Sequence, residues 1–331
     1  MQVGYHLTPF WSPTDRHPAA ILDEAIAVVR ATARLGFEWV SMGQHWLSHP
    51  TIWPAPIPFL ARLAPETGAM RIKTSVLLLP LLNPVEVAEN VATLDHLTHG
   101  RLTVGVSIGY RETELAAAGI TRRDRAIKLE ESLAMMKRLW AGEEAYGGRM
   151  GFAPFQVPHP PIEFGAQSLG ATLRAARLGD GVLFGPQVAW ADVRRLAKAY
   201  RSARAAPGWV GASRCLMVGH TKEDAAMRAR HYLEKTFAMY SRWAMQERGM
   251  VPLTLDFSRR LDEWTVHGSA ADCVATLLEA REEIGLDGVG FTIYSLPPSP
   301  AERIEYLHMI AEEIVAPVTA RTPTDPKVGR T

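Results

Sequence analysis

The stretch Ile72-Lys73-Thr74-Ser75-Val76-Leu77-Leu78-Leu79, followed by Pro80-Leu81-Leu82 and then Asn83-Pro84-Val85-Glu86-Val87, decides the fold of this chain. Its first eight residues read as a strand of the kind buried on both faces of a parallel sheet, where a near-continuous apolar run replaces strict alternation. Asn83 then caps a helix. Pro84 suits the first turn, where its missing N–H is no loss, and Glu86 stands three residues after the cap, as in a capping box. Val87, Val91 and Leu94 recur at helical spacing as a buried stripe, and Gly100 stops the helix. A second strand, Arg101 to Ile108, follows at once. Strand, helix and strand in such close succession make a parallel crossover unit.

The same rhythm runs outward in both directions. Upstream lie a strand from Val3 to Leu7 and a helix from Pro18 to Leu35, with Leu22, Ala25, Val29 and Ala33 on one face and Gly36 as its stop. A strand from Phe37 to Met42 and a helix from Ile57 to Thr67 follow. Downstream come a helix from about Arg122 to Trp140, strand Ile162–Phe164, helix Thr172–Leu178, strand Val182–Phe184 and helix Asp192–Arg204. Strand Cys215–Val218, a long helix from Lys222 to about Arg248, helix Ala270–Ile284, strand Gly288–Tyr294 and a helix from Ala301 to about Val315 complete the series. Two stretches break it. The Trp- and Pro-rich loop Gln44 to Pro56 is too long for a plain connector, which points to function. Gly142 to Pro161 reads as a hairpin excursion.

Eight strands, each followed by a helix, with no Gly-rich nucleotide fingerprint after any of them, favour an α/β fold of the TIM (β/α)₈ type with insertion loops over an open doubly wound sheet. Residues 1–321 are expected to form one barrel domain. The polar stretch 322–331, with two prolines, is expected to be a disordered tail.

Composition excludes several functions. With 331 residues, 47% hydrophobic and 21% charged, the chain can bury a full core, and a net charge of +1 offers nothing to nucleic acid or an anionic membrane. Cys215 and Cys273 have no pair spacing, so a disulfide framework is not expected and a reducing cytoplasm is. Met1-Gln2-Val3-Gly4-Tyr5-His6 shows no basic region leading into an apolar stretch, so no signal peptide is expected. No apolar run approaches the roughly 20 residues that span a bilayer.

In such a barrel the active site lies at the C-terminal ends of the strands. Those ends are Tyr5-His6, Gln44-His45-Trp46, Ser75-Val76, Gly109-Tyr110-Arg111, Gln167-Ser168, Phe184-Gly185, Gly219-His220 and Tyr294. The set is rich in aromatic, amide, hydroxyl and imidazole groups and lacks a carboxylate cluster, which suits a flat ligand with polar edges. His45 and His49 have the spacing of two zinc ligands on a helix, but no glutamate follows His45 and Pro50 opposes a helix, so no metal is expected. His96 and His99 sit in the last turn of a helix, where the dipole explains them. Ser168, with Gly165, Gly170 and Thr172, surrounds a helix start. It reads equally as a simple N-cap or as part of a phosphate site.

Several segments also resemble one family. Thr74 to Pro80, Asn83 to Ala88 and Leu94-Asp95-His96-Leu97-Thr98-His99-Gly100-Arg101-Leu102 are similar to the core of the bacterial luciferase-like flavin-dependent oxidoreductases. So are Leu35-Gly36-Phe37-Glu38-Trp39-Val40 leading into Gln44-His45, and Ala175-Ala176-Arg177-Leu178-Gly179-Asp180-Gly181. The resemblance runs in register from residue 1 to about 318. It implies FMN, or a deazaflavin in one branch, with the ring at the strand ends. A bulge at Ser75-Val76, often with a non-prolyl cis peptide in the family, would support the ring, and Gln167, Ser168 and Thr172 would surround the phosphate. Tyr5, Gly109, Tyr110 and Phe184 complete the expected cofactor contacts, with Trp46 and Trp53 among the apolar walls.

The resemblance implies a monooxygenase that receives reduced FMN from a separate flavin reductase. Oxygen then gives a flavin hydroperoxide that attacks a small organic substrate. His45 matches the family's histidine near the reactive edge and is expected to assist proton transfer, with Gln44 and Arg111 beside it. The chain departs from the pattern in two places. Gln44 stands where many oxygenases carry an acid, and Ile108 stands where luciferase has a basic residue, with Arg111 as the nearby cation; light emission is not expected. The alternatives are a deazaflavin-dependent hydride-transfer enzyme and a non-catalytic flavin-binding relative. Family members are commonly homodimers, with the helices after the second and third strands as the expected interface.

Overall fold

The computed structural model describes residues 1–7, 10–11, 17–245 and 257–320. Eight parallel strands close on themselves: β1 (Gln2–His6), β2 (Trp39–Met42), β3 (Arg71–Leu78), β4 (Leu102–Ser107), β5 (Ile162–Ala166), β6 (Gly181–Phe184), β7 (Trp209–Val218) and β8 (Gly288–Thr292). Closure is direct, since β8 pairs with both β7 and β1, in the latter case with Gln2 opposite Gly288. The register of β3 against β4 shifts between Thr74 and Leu77, a bulge at Ser75-Val76, and that peptide bond is cis. The expected (β/α)₈ barrel is therefore the observed one. Expected positions 322–331 and the end of the long helix at Arg248 lie outside the described residues.

Capping works as the sequence dictates. Asn83 accepts N–H bonds from Val85 and Glu86 at the head of helix Pro84–Leu97, and Ser269 and Asp272 form a reciprocal capping box on helix Ala270–Ile284. Differences are local. β7 starts at Trp209, six positions before the expected Cys215, because its first residues already pair with β6 and β8, and Gly211 leaves room for an indole, since a Cβ there would lie 1.9 Å from Trp209. Helices Glu112–Ala117 and Phe257–Trp264 and the short strand Thr265–Gly268, which pairs with the end of β7, were not expected. The expected hairpin at Gly142–Pro161 reduces to one antiparallel bridge, Ala145 to Gly148; its prolines cannot donate to a ladder.

The lower barrel is filled by two tryptophans and one ion pair. Trp39 and Trp209 meet edge to face at 5.9 Å, and glycines opposite them make the room, since a Cβ on Gly4 would lie 2.0 Å from the Trp39 ring. Lys73 Nζ sits 4.4 Å and 3.9 Å from the two ring centroids and donates to Glu163 Oε1 at 2.7 Å. Burial pushes the Lys73 ammonium below its usual range, while the Glu163 charge resists that shift. This plug is the floor on which the site stands.

Candidate active site

Above the floor, at the C-terminal ends of the strands, lies a cavity of about 590 Å³. Strand alternation decides who faces it. His6, Ser75, Ser107, Gly165, Leu183 and Ser213 point inward from β1, β3, β4, β5, β6 and β7 and line it. Tyr5, Phe164 and Phe184, of opposite parity, belong to the core outside the barrel, while the bulge in β3 brings Val76 to the cavity beside Ser75.

At one end stands His45, directly after β2. Its Nδ1 lies 2.8 Å from Glu114 Oε1, and its ring meets Trp53, Tyr110 and Trp243 with centroids 4.5, 5.8 and 4.9 Å away. Glu114 Oε1 also accepts from the Trp46 amide at 3.0 Å and from Arg111 Nη1 at 3.1 Å. Arg111 donates further to the carbonyls of Trp46 and Leu47 and stacks on Trp243 at 3.9 Å. The loop bearing His45 is thereby tied to the segment after β4. Gln44 Oε1 accepts from the Leu78 amide at 2.8 Å, so its side chain closes the end of β3. His6 hydrogen-bonds Ser41 at 3.0 Å, and enclosure by protein lowers its pKa to about 4, so it is neutral near pH 7.

The opposite end suits an anion. Ser168, which lines the cavity with Ala171, caps helix Leu169–Leu178 by accepting from the Ala171 amide, a helix head of the kind that suits an anion, and Gln167 Nε2 donates to Gln187 Oε1 at 3.3 Å. Arg125, at the first position of helix Arg125–Trp140, is the one Arg or Lys lining the cavity among the described residues. Glu130 pairs with Arg174 at 3.0 Å and Arg177 at 2.8 Å, which holds the two helices side by side with both N-termini at this end. Behind the Gly185–Val188 loop, fully buried Arg214 donates to the carbonyls of Gly185, Ser213 and Val188 and stacks on Trp190 at 3.8 Å. Burial lowers its pKa to about 9. Asp192, in the first turn of helix Trp190–Ser202, adds one carboxylate to the lining. Thr236, Phe237, Tyr240, Trp264, Tyr294 and Cys215 carry no formal charge, and burial pushes the Cys215 thiol up to about 12, which keeps it protonated.

Of the residues expected at the site, His45, Gln44, Ser75, Val76, Gly109, Tyr110, Gln167 and Ser168 line this one cavity, as does Trp53. Four do not. Tyr5 and Phe184 have outward parity; Tyr5 packs edge to face on Phe37 at 6.3 Å, and both are core. Thr172 is buried within its helix, its Oγ1 donating to the Ser168 carbonyl at 2.9 Å. Arg111 turns from the cavity toward Trp46, Leu47 and Glu114, so it does not reach in at the Ile108 position. Alternation from His6 and Leu183 would have rejected Tyr5 and Phe184. Glu114 and Arg125 were missed; each sits in or at the head of a helix, away from any strand end. Among the described residues no group of three or more His, Cys, Asp or Glu is placed to hold a metal, and no helix is long and apolar enough to cross a membrane.

Known proteins share the sequence pattern and the fold. A family model described as luciferase-like monooxygenase matches residues 1–288. The y4wF protein of Sinorhizobium fredii is 30% identical over 79% of this chain and 82% of its own length. The oxygenase component of flavin-dependent trigonelline monooxygenase from Acinetobacter baylyi is 25% identical over 69% of this chain and 68% of that protein. Two solved structures share the fold. The oxygenating constituent of 3,6-diketocamphane monooxygenase from Pseudomonas putida, in complex with FMN, superposes with a TM-score of 0.80 at 17% identity, covering 96% of this chain and 98% of that one. An F420-dependent secondary alcohol dehydrogenase superposes at 0.73 with 17% identity, covering 96% and 99%.

Proposed function

The chain belongs to the luciferase-like monooxygenase family, and on that premise we propose that it is the oxygenase component of a two-component flavin monooxygenase, using FMN reduced by a separate reductase to oxidise a small organic substrate. The carrying observation is one cavity with an anion-suited end and a neutral aromatic end. The donor set fits the cofactor. Ser168, Gln167, Arg125 and the free N–H groups of helix Leu169–Leu178 match a phosphate, while Val76, Leu78, Ile108 and Leu183 offer apolar surface to a flat ring. When bound, reduced flavin supplies the electrons that activate oxygen.

The residues of the chain have narrower tasks. Gln44 holds the end of β3 so that Ser75 and Val76 present a fixed surface. Trp53, Phe237, Tyr240 and Trp264 exclude water from the reacting end. His45 takes up and returns a proton there, a task suited to a side chain whose ordinary pKa lies near 6.5. We read the assembly as a homodimer through helices Pro56–Leu63 and Pro84–Leu97.

The test is anaerobic titration with reduced FMN and, separately, reduced deazaflavin, followed by oxygen. Tight binding of reduced FMN, with slower reoxidation than free flavin, is the expected result. Preference for the deazaflavin with no oxygen consumption would replace the proposal with a hydride-transfer enzyme. Binding of neither would leave the fold alone.

A further inference from the structure

Glu114 is the most fully buried acid at the site, and it does not line the cavity described above. Its Oε1 accepts from the Trp46 amide and Arg111 Nη1 at 3.0 and 3.1 Å and lies 2.8 Å from His45 Nδ1. Its Oε2 is buried with no protein partner. An oxygen already receiving an amide and a guanidinium N–H is an acceptor, so the imidazole must donate to it. Nδ1 then carries the hydrogen in neutral His45, and Nε2, on the side of the ring away from Glu114, keeps its lone pair.

We propose that Glu114 is a positioning residue that fixes His45 as the Nδ1–H tautomer, leaving Nε2 as the proton acceptor of the cavity. The idea rests on the proton-transfer role assigned to His45 above. In the step, a proton leaves an O–H or N–H of the bound ligand, whose electron pair stays on the ligand, and becomes the Nε2–H of His45. The imidazolium keeps its Nδ1–H on the Glu114 carboxylate, which offsets the new positive charge, and the reverse transfer restores the neutral ring. Arg111 has the second part of the task. By donating to Glu114 Oε1 and to the carbonyls of Trp46 and Leu47, it holds the carboxylate and the His45 loop in one arrangement. The titratable or charged groups around the ring are Glu114, Arg111 and Tyr110 from the segment after β4, and Tyr240 from helix Lys222–Met245; Trp53 and Trp243 complete its surroundings without charge.

The experiment is nitrogen NMR of the isolated, histidine-labelled protein across pH, with His45 assigned by its loss in His45→Asn. The proposal expects the Nδ1–H tautomer in the unsubstituted protein, whatever Glu114→Gln does to folding. In Glu114→Gln, the affinity of His45 for a proton falls at least tenfold, and the His45-dependent limb of the kcat profile moves to lower pH by the same amount, with partial return in Glu114→Asp. An Nε2–H tautomer, or a titration of His45 unmoved by Glu114→Gln, overturns it. Absence of flavin turnover with the Nδ1–H tautomer present would instead overturn the functional reading and leave the role of Glu114 standing.

Discussion

Breaking the ion pair beneath the cavity should have unequal effects depending on which partner is removed. Lys73 and Glu163 are 6% and 8% exposed and 2.7 Å apart, so removing one strands a buried charge, typically a loss of about 3–5 kcal/mol. Lys73 has a second source of support, because both indoles offer it a π face, and desolvated cation–π contacts are worth up to about 2 kcal/mol. Glu163→Gln should therefore cost only about 2–3 kcal/mol. In Lys73→Met the carboxylate has no such substitute, and its loss is capped by the cost of protonating a carboxyl at pH 7, about 3.7 kcal/mol. Lys73→Met should be the more damaging change by about 1 kcal/mol, and its deficit should shrink toward pH 5, as the lone acid becomes cheaper to neutralise. The double variant Lys73→Met/Glu163→Leu should recover most of the loss, since an apolar replacement of both partners is often neutral. Urea unfolding of the four proteins at pH 7 and pH 5 measures all of this. If Glu163→Gln were the worse single variant, or the double variant were worse than both, the indoles would not be supporting the ammonium.

Four other outcomes are expected. Gly4→Ala puts a methyl 2.0 Å from the Trp39 ring, which the plug cannot yield, and should cost at least about 3 kcal/mol in thermal unfolding or abolish soluble protein. Arg125→Met should weaken FMN binding about 10- to 100-fold by fluorescence titration while leaving riboflavin binding unchanged, as expected for one lost charge-assisted contact to phosphate. His6 has a folded pKa of about 4 against an ordinary 6.5, so the unfolded chain binds the extra proton between these values. Stability should thus be lost as pH falls from 6.5 to 4, by up to about 3 kcal/mol, and His6→Asn should flatten that slope in denaturation at stepped pH. His45→Ala should keep flavin binding and lose about 10²- to 10⁴-fold in turnover; full turnover would remove it from the chemistry.

The barrel was legible because its signals are local. A doubly buried strand at Ile72–Leu79, a capped helix after it and the repetition of that unit need no long-range information. The cavity wall was legible where it coincides with strand ends, at Gln44, His45, Ser75, Val76, Gly109 and Ser168. It failed at Tyr5 and Phe184, where chemical suitability was preferred to alternation, although His6 and Leu183 beside them had the inward parity. Glu114 was out of reach for a different reason. Its meaning comes from a contact 69 positions away with His45, made by a six-residue helix too short for a clear periodic signal. Arg111 illustrates the same limit: the residue is next to the site, but Trp243, from a helix over a hundred residues later, decides which way its guanidinium turns.

The tryptophan and lysine plug has a kinetic consequence. A barrel stoppered at its N-terminal end admits every ligand from the same side, so cofactor and substrate share one doorway. Whichever lies deeper must arrive first and depart last. On the function proposed above, which sets the flavin ring against Val76 and Leu183 and the substrate above it near His45, turnover would follow a compulsory order, reduced cofactor before substrate and product before spent cofactor. Excess substrate would then obstruct recharging, and inhibition at high substrate concentration would be competitive with reduced flavin.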